Sequence, residues 1–216
     1  MRTRHIAVEG PIGVGKTAFA RLLAERLEAR LVLQPSDNPF LDGFYADPRR
    51  YALQAQLAFL LARYQQRDEL KQEELFARGV VTDYLFGRDR LFAHVNLSSA
   101  ELSLYDKVYA LLDDAMPRPD LVVYLQARTE VLVERLRRTP EGRRVPRDYA
   151  ARVNEAYAEF FFHYTEGPLL VVNTSEIDFV ARREDLDELV AVIQRTKSGA
   201  QHYSPLGAAD GGPRRR

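Results

Sequence analysis

The chain has 216 residues, 46% of them hydrophobic, and its 31 lysines and arginines balance 31 aspartates and glutamates. That length and apolar content suit one globular domain with a substantial core, while the cancelled charge gives no global basic field to attract a nucleic acid polymer or a membrane surface. Cysteine is absent, which excludes disulfides, thiolate catalysis and cysteine-ligated zinc.

The opening Met1-Arg2-Thr3-Arg4-His5 leads into a short apolar run that stops at Glu9. No signal-peptide core and no run of membrane-spanning length is expected, so the sequence predicts a soluble, cytoplasmic protein. A first strand at His5–Val8 runs into Gly10-Pro11-Ile12-Gly13-Val14-Gly15-Lys16-Thr17, which fits the phosphate-binding pattern G-x-x-x-x-G-K-[ST]. The glycines let backbone N–H groups face an anion, Lys16 reaches the β- and γ-phosphates, and the Thr17 hydroxyl is placed to ligate Mg²⁺. A helix over Lys16–Ala29 adds the positive end of its dipole. This loop predicts that the protein handles ATP or another nucleoside triphosphate together with Mg²⁺.

A second strand, Leu31–Leu33, is followed by the turn-rich Gln34-Pro35-Ser36-Asp37-Asn38-Pro39-Phe40-Leu41. Asp37 is an acid within reach of a site there, although Asx-Pro stretches recruit Asp and Asn for turn geometry as readily. A long helix over Pro48–Ala77 is apolar round much of its girth, interrupted by Gln56 and Arg63, seven residues apart and nearly in line. Such a pair reads the edge of a base or forms a solvated stripe; spacing alone leaves both open. Gly79 ends that helix before a third strand, Val80–Thr82, and Asp83 follows at the strand's carboxyl end, where parallel α/β sheets bind ligands. Its carboxylate can hold Mg²⁺ or accept a proton from a substrate hydroxyl.

Ser98 and Glu101 form a candidate capping box for a helix over Glu101–Ala115, and Pro117 and Pro119 separate it from a strand at Leu121–Leu125. A helix over Glu130–Arg138 runs into Thr139-Pro140-Glu141-Gly142, around which Arg135, Arg137, Arg138, Arg143 and Arg144 cluster. This is the pattern of an arginine-rich lid, about residues 138–147, that clamps phosphoryl oxygens and excludes water. A helix over Arg147–Tyr164, a strand at Leu169–Val172 and a helix over Asp185–Thr196 complete the alternation. The four histidines show no metal-site spacing. Residues 207–216, rich in glycine and ending in three arginines, are expected to be disordered. The order of elements predicts an α/β P-loop NTPase fold: three layers, a five-stranded parallel sheet between helices, and one domain over residues 1–206.

Over about residues 4–206 the chain resembles the deoxynucleoside kinase family, especially its bacterial deoxyadenosine/deoxyguanosine kinase-like branch. The residues that carry this are Glu9 through Thr17, Asn38-Pro-Phe-Leu41 with Phe44-Tyr45, Tyr51 through Gln56 with Arg63, and Asp83-Tyr-Leu-Phe86. Asp89-Arg-Leu-Phe-Ala93, Pro119 through Leu125 and Pro168 through Asn173 complete the set. The resemblance implies transfer of a triphosphate's γ-phosphoryl group to the 5′-hydroxyl of a deoxynucleoside, a purine nucleoside or deoxycytidine, in nucleotide salvage. It implies that Tyr45 touches the sugar, Gln56 hydrogen-bonds the base, Arg63 and Asp89 complete base recognition, and Phe92 packs near the base. Asp83 takes the place of the acid near Mg²⁺, and Arg135, Arg138 and Arg143 look like the arginines that clamp donor phosphates. A dimer, with itself or with a paralogue, is also implied, in keeping with apolar excess around Leu53–Tyr64 and Leu102–Leu112.

Three positions depart from the family pattern. Gln34 stands where the family usually has the glutamate that deprotonates the 5′-hydroxyl, and an amide cannot serve as that base. Tyr84 replaces the arginine of the Glu/Asp-Arg-Ser motif. The lid is about two residues short, which sets Glu141 out of register with the glutamate that meets the sugar. A catalytically weakened subunit that acts with a paralogue and a nucleoside monophosphate kinase therefore stand as alternatives to the nucleoside kinase.

Overall fold

A computed structural model describes residues 4–68, 70, 79–113, 115–175 and 182–204. The expected tail at 207–216 and the end of the expected long helix, 71–77, lie outside the described residues.

Among the described residues six strands form one parallel sheet: β1 Arg4–Glu9, β2 Arg30–Val32, β3 Gly79–Thr82, β4 Leu121–Gln126, β5 Leu169–Asn173 and β6 Ala200–Tyr203. Their order is β2-β3-β1-β4-β5-β6. The first five sit where the apolar runs place them. The sixth is an edge strand whose Ala200, Gln201 and His202 are exposed, so it carries no apolar run for a sequence pattern to find; its backbone pairs with β5, Val171 opposite His202.

Alternation along the strands builds two cores. Ile6 and Val8 of β1 join Val123 and Leu125 of β4 beneath Phe19 and Leu23 of α1 (Lys16–Leu27) and Leu189 and Ile193 of α8 (Arg183–Arg195). On the other face Ala7, Val122 and Tyr124 meet Val153, Tyr157 and Phe161 of α7 (Arg147–Phe162) and Ala52 and Ala55 of α3 (Pro48–Gln65). Both sides of the sheet are covered, which makes the three layers. A satellite cluster around Leu60, Tyr105 and Tyr109 joins α3 to α5 (Ser99–Asp113). One half of the capping box before α5 is formed, the Ser98 N–H donating to Glu101 Oε2 at 2.9 Å; the Ser98 hydroxyl also donates to that oxygen, at 2.6 Å.

Two helices were not expected. The six-residue α2 (Leu41–Ala46) follows a turn in which Asn38 Oδ1 accepts the Phe40 N–H at 3.0 Å while Asn38 Nδ2 donates to Ala55 O. α4 (Arg88–Asn96) lacks a clean apolar stripe because its first turn buries charges, Arg88 and Asp89, in place of hydrocarbon. The last described helix before the lid is α6 (Thr129–Arg137).

Candidate active site

β1 delivers the chain to the phosphate loop at the carboxyl edge of the sheet, where β2 and β3 lie on one side and β4 and β5 on the other. Gly13 and Gly15 hold φ of +85° and +98°, a left-handed conformation that side chains with a Cβ adopt at a cost. Val14 N–H donates to Pro11 O, and the first turn of α1 opens directly from Gly15. Lys16 Nζ folds back beneath the loop, donating to Gly10 O at 2.6 Å and Pro11 O at 3.2 Å. Removal from water lowers its pKa to about 8, against the pull of Glu9 and Asp83, while Arg88 and Arg63 push it further down. A cavity of about 520 Å³ opens over Gly13, Gly15, Lys16 and Thr17 and is closed on its far side by Arg135 and Thr139.

Asp83, 1% exposed, arrives at the end of β3. Its Oδ2 accepts the Thr17 hydroxyl at 2.5 Å and its Oδ1 accepts the Gln34 N–H at 2.6 Å. Two hard oxygen donors in contact, Thr17 on the wall of the larger cavity and Asp83 buried behind it, fit Mg²⁺, which takes few protein ligands and keeps waters and phosphate oxygens for the rest.

A second cavity, of about 220 Å³, lies beside the first and is lined by Tyr45, Gln56, Arg63, Asp89 and Phe92. Gln56 and Arg63 are 6% and 3% exposed, so the stripe on α3 faces a pocket rather than solvent. Arg63 pairs with Asp89 at 2.7 Å. Burial raises the Asp89 pKa, and Arg63 and Arg88 oppose that rise. Burial also raises the pKa of Tyr45, against Arg144. The two cavities share four residues: Ile12, Gln34, Tyr45 and Arg88.

Gln34 is built into this seam. Its side-chain oxygen accepts Arg88 Nη2 at 2.8 Å and Arg63 Nη2 at 3.2 Å. Arg88 is in turn held by Glu9, Nε to Oε1 at 3.2 Å. Glu9, fully buried, also accepts the Gly10 N–H, the Leu85 N–H and the Tyr157 hydroxyl at 2.9, 2.8 and 2.9 Å. Glu9, Arg88 and Tyr157 were not predicted as site residues. Glu9 closes β1, so inspecting the end of that strand as well would have found it; Arg88 lies five residues beyond β3 and gives no local signal. Tyr149, which lines the smaller of these two cavities and accepts a hydrogen bond from Asn96, was also missed.

The lid forms a 3-10 turn at Gly142–Arg144, and Glu141, Gly142 and Val145 border the larger cavity. Of the expected clamps Arg135 lines the larger cavity and donates to Val14 O in the loop and to Thr174 O. Arg138 and Arg143 correct the expectation. Arg138 is 70% exposed and pairs with Glu134, one helical turn back, and Arg143 donates to Arg137 O; neither lines the cavity. Arg144 bridges instead to Asp42 of α2, at 2.6 Å. Asp37 is exposed and does not line either cavity.

A sequence model described as deoxynucleoside kinase matches residues 6–197. The chain is 29% identical over 197 residues to deoxyguanosine kinase of Bacillus subtilis, covering 88% of this chain and 95% of that protein. It is 33% identical over 181 residues to deoxyadenosine kinase of Dictyostelium discoideum, covering 80% and 73%. Its fold matches a structure of deoxyadenosine kinase from M. mycoides with bound dATP, with a TM-score of 0.76, 23% identity, and 89% and 100% of the two chains covered. These relatives favour the nucleoside kinase over both alternatives. With a phosphate loop and an adjoining polar pocket on the fold those relatives share, the chain belongs to the deoxynucleoside kinase family, phosphotransferases that act on deoxynucleosides.

Proposed function

We propose that this chain transfers the γ-phosphoryl group of ATP, or of another nucleoside triphosphate, to the 5′-hydroxyl of a purine deoxynucleoside or deoxycytidine, in cytoplasmic nucleotide salvage. The observation that carries this reading is the pair of cavities meeting at Gln34, Tyr45 and Arg88. A triphosphate in the loop and a nucleoside in the neighbouring pocket bring donor and acceptor together there, and positioning supplies much of the rate in phosphoryl transfer. The relatives named deoxyguanosine kinase, deoxyadenosine kinase and deoxyadenosine/deoxycytidine kinase support the range of bases.

Gly10 to Thr17 cradle the donor phosphates, with Lys16 and Arg135 as cations. Thr17 and Asp83 Oδ2 would hold Mg²⁺, which when bound neutralises charge on the phosphates. Asp83 Oδ1, facing Gln34, takes the hydroxyl proton. Gln56, Arg63 and Asp89 contact the base, Phe92 packs against it, and Tyr45 and Glu141 approach the sugar. The outer faces of α3 and α5 leave Leu61, Leu104 and Leu111 exposed, and a second copy or a paralogue covers them in a dimer.

The test is a phosphoryl-transfer assay of the purified protein with ATP, Mg²⁺ and each deoxynucleoside in turn. A deoxynucleoside monophosphate is the expected product. No product with any acceptor, or faster reaction with monophosphate acceptors, defeats the proposal.

A further inference from the structure

Gln34, with Ile12, Tyr45 and Arg88, lines both cavities, so it is one of four side chains at the boundary where a hydroxyl of a bound nucleoside would face the phosphate loop. Its amide can be oriented without reference to which atom is drawn as oxygen. Both groups on its inner side, Arg63 Nη2 and Arg88 Nη2, are guanidinium donors with no acceptor capacity. Only the amide oxygen satisfies them, and the NH₂ must therefore point the other way. That nitrogen has no hydrogen-bond partner among the described residues. The orientation is locked in depth: Arg88 is fixed by Glu9, Arg63 by Asp89, and the Gln34 backbone by Asp83.

Charge favours the amide over an acid at this position. Lys16, Arg63 and Arg88 stand against Glu9, Asp83 and Asp89, three cations and three anions around one seam. A carboxylate at 34 would add an anion to the wall that both cavities share, and held by two guanidiniums it would be a weak base.

We propose that Gln34 is a catalytic residue acting as a hydrogen-bond donor: its amide NH₂ binds the acceptor hydroxyl oxygen and turns the hydroxyl proton toward Asp83. This rests on the nucleoside kinase reading and specifies how that site handles its nucleophile. In the step, the hydroxyl oxygen forms a bond to the γ-phosphorus while the bond from that phosphorus to the β,γ-bridging oxygen breaks. The bridging electron pair leaves on the nucleoside diphosphate, and the hydroxyl proton passes to the Asp83 carboxylate. Because bond breaking leads in a loose transition state, orienting the nucleophile matters more than making it basic, and a donor at 34 suffices.

The contact is tested by binding, independently of turnover. The probes are 2′-deoxyadenosine, 2′-deoxyguanosine and 2′-deoxycytidine; the tightest binder is paired with its 5′-deoxy counterpart, and both are titrated into the full chain and into Gln34→Met. A lost hydrogen bond predicts about tenfold weaker binding of the 5′-deoxy compound to the native chain and less than about twofold in Gln34→Met. Equal losses in the two proteins overturn the proposal, as does failure of all three probes to bind. Gln34→Glu keeps an acceptor for both arginines and so keeps the fold while losing the donor. Its kcat should fall about tenfold or more with ATP affinity preserved; a rise in kcat means that the position calls for a base and refutes the donor role. A chain that shows the binding difference yet phosphorylates no deoxynucleoside keeps the contact and loses the proposed function, so the two failures are distinguishable.

Discussion

At the scale of single residues, the site is a set of buried charges whose neighbours fix what each can do. Asp83 has one oxygen on Thr17 and the other on the Gln34 N–H. Asp83→Asn keeps the shape but loses the proposed proton acceptor and anionic metal ligand, so kcat in the phosphoryl-transfer assay should drop about 10²–10⁴-fold. Lys16 has a pKa lowered to about 8 by its burial. A bound triphosphate requires the ammonium, so donor affinity is full below that value and declines above it. Titration of ATP at pH 7 and pH 9 should show about tenfold weaker binding at the higher pH, and Lys16→Arg should flatten the dependence. His5 is buried beside Thr82, and burial lowers its pKa from 6.5 to about 4 against the opposing pull of Asp120. Between those values the unfolded chain binds a proton that the folded chain refuses. Stability is therefore complete above pH 6.5 and declines by about 3 kcal/mol as pH falls toward 4, and urea midpoints of the native protein and His5→Gln across this window check it.

At the scale of elements, four of the six described strands lead at their carboxyl ends to residues of the site. β1 ends in Glu9 and the loop, β2 leads to Gln34, β3 to Asp83, and β5 to Thr174, which receives Arg135 from α6. Arg135 thus ties the lid-bearing helix to the phosphate loop through Val14 O. Arg135→Ala should weaken ATP binding about tenfold and leave the deoxynucleoside KM near its native value, as nucleotide titration and initial rates would show. The same substitution at Arg138, exposed and paired with Glu134, supplies the comparison. α4 is the element whose role was least visible in the sequence: its first turn carries Arg88 and Asp89 into the seam, so the charge pattern that hides its amphipathicity is the feature that makes it useful.

At the scale of the whole molecule, two cores insulate the sheet and leave its carboxyl edge for chemistry, while α3 and α5 present apolar groups outward. Leu104 and Leu111 are seven residues apart on α5, 50% and 81% exposed, and so share a face. If the proposed dimer forms through this face, the pair Leu104→Arg and Leu111→Arg should shift sedimentation from that dimer to the 24.7 kDa monomer. Five strands, the phosphate loop, the Ser98–Glu101 contact and the place of Asp83 at the end of β3 were legible in the chain because each depends on neighbours within a few residues: an apolar run, a glycine spacing, a cap. Gln56 and Arg63 could be aligned from helical spacing, yet only packing showed that their stripe faces a cavity. β6 was hidden because edge pairing is carried by backbone, which has no residue signature. The outward turn of Arg138 and Arg143, the Glu9–Arg88–Gln34 chain and the orientation of the Gln34 amide were decided by tertiary structure alone, since each depends on which groups from distant segments meet in a place that water does not reach.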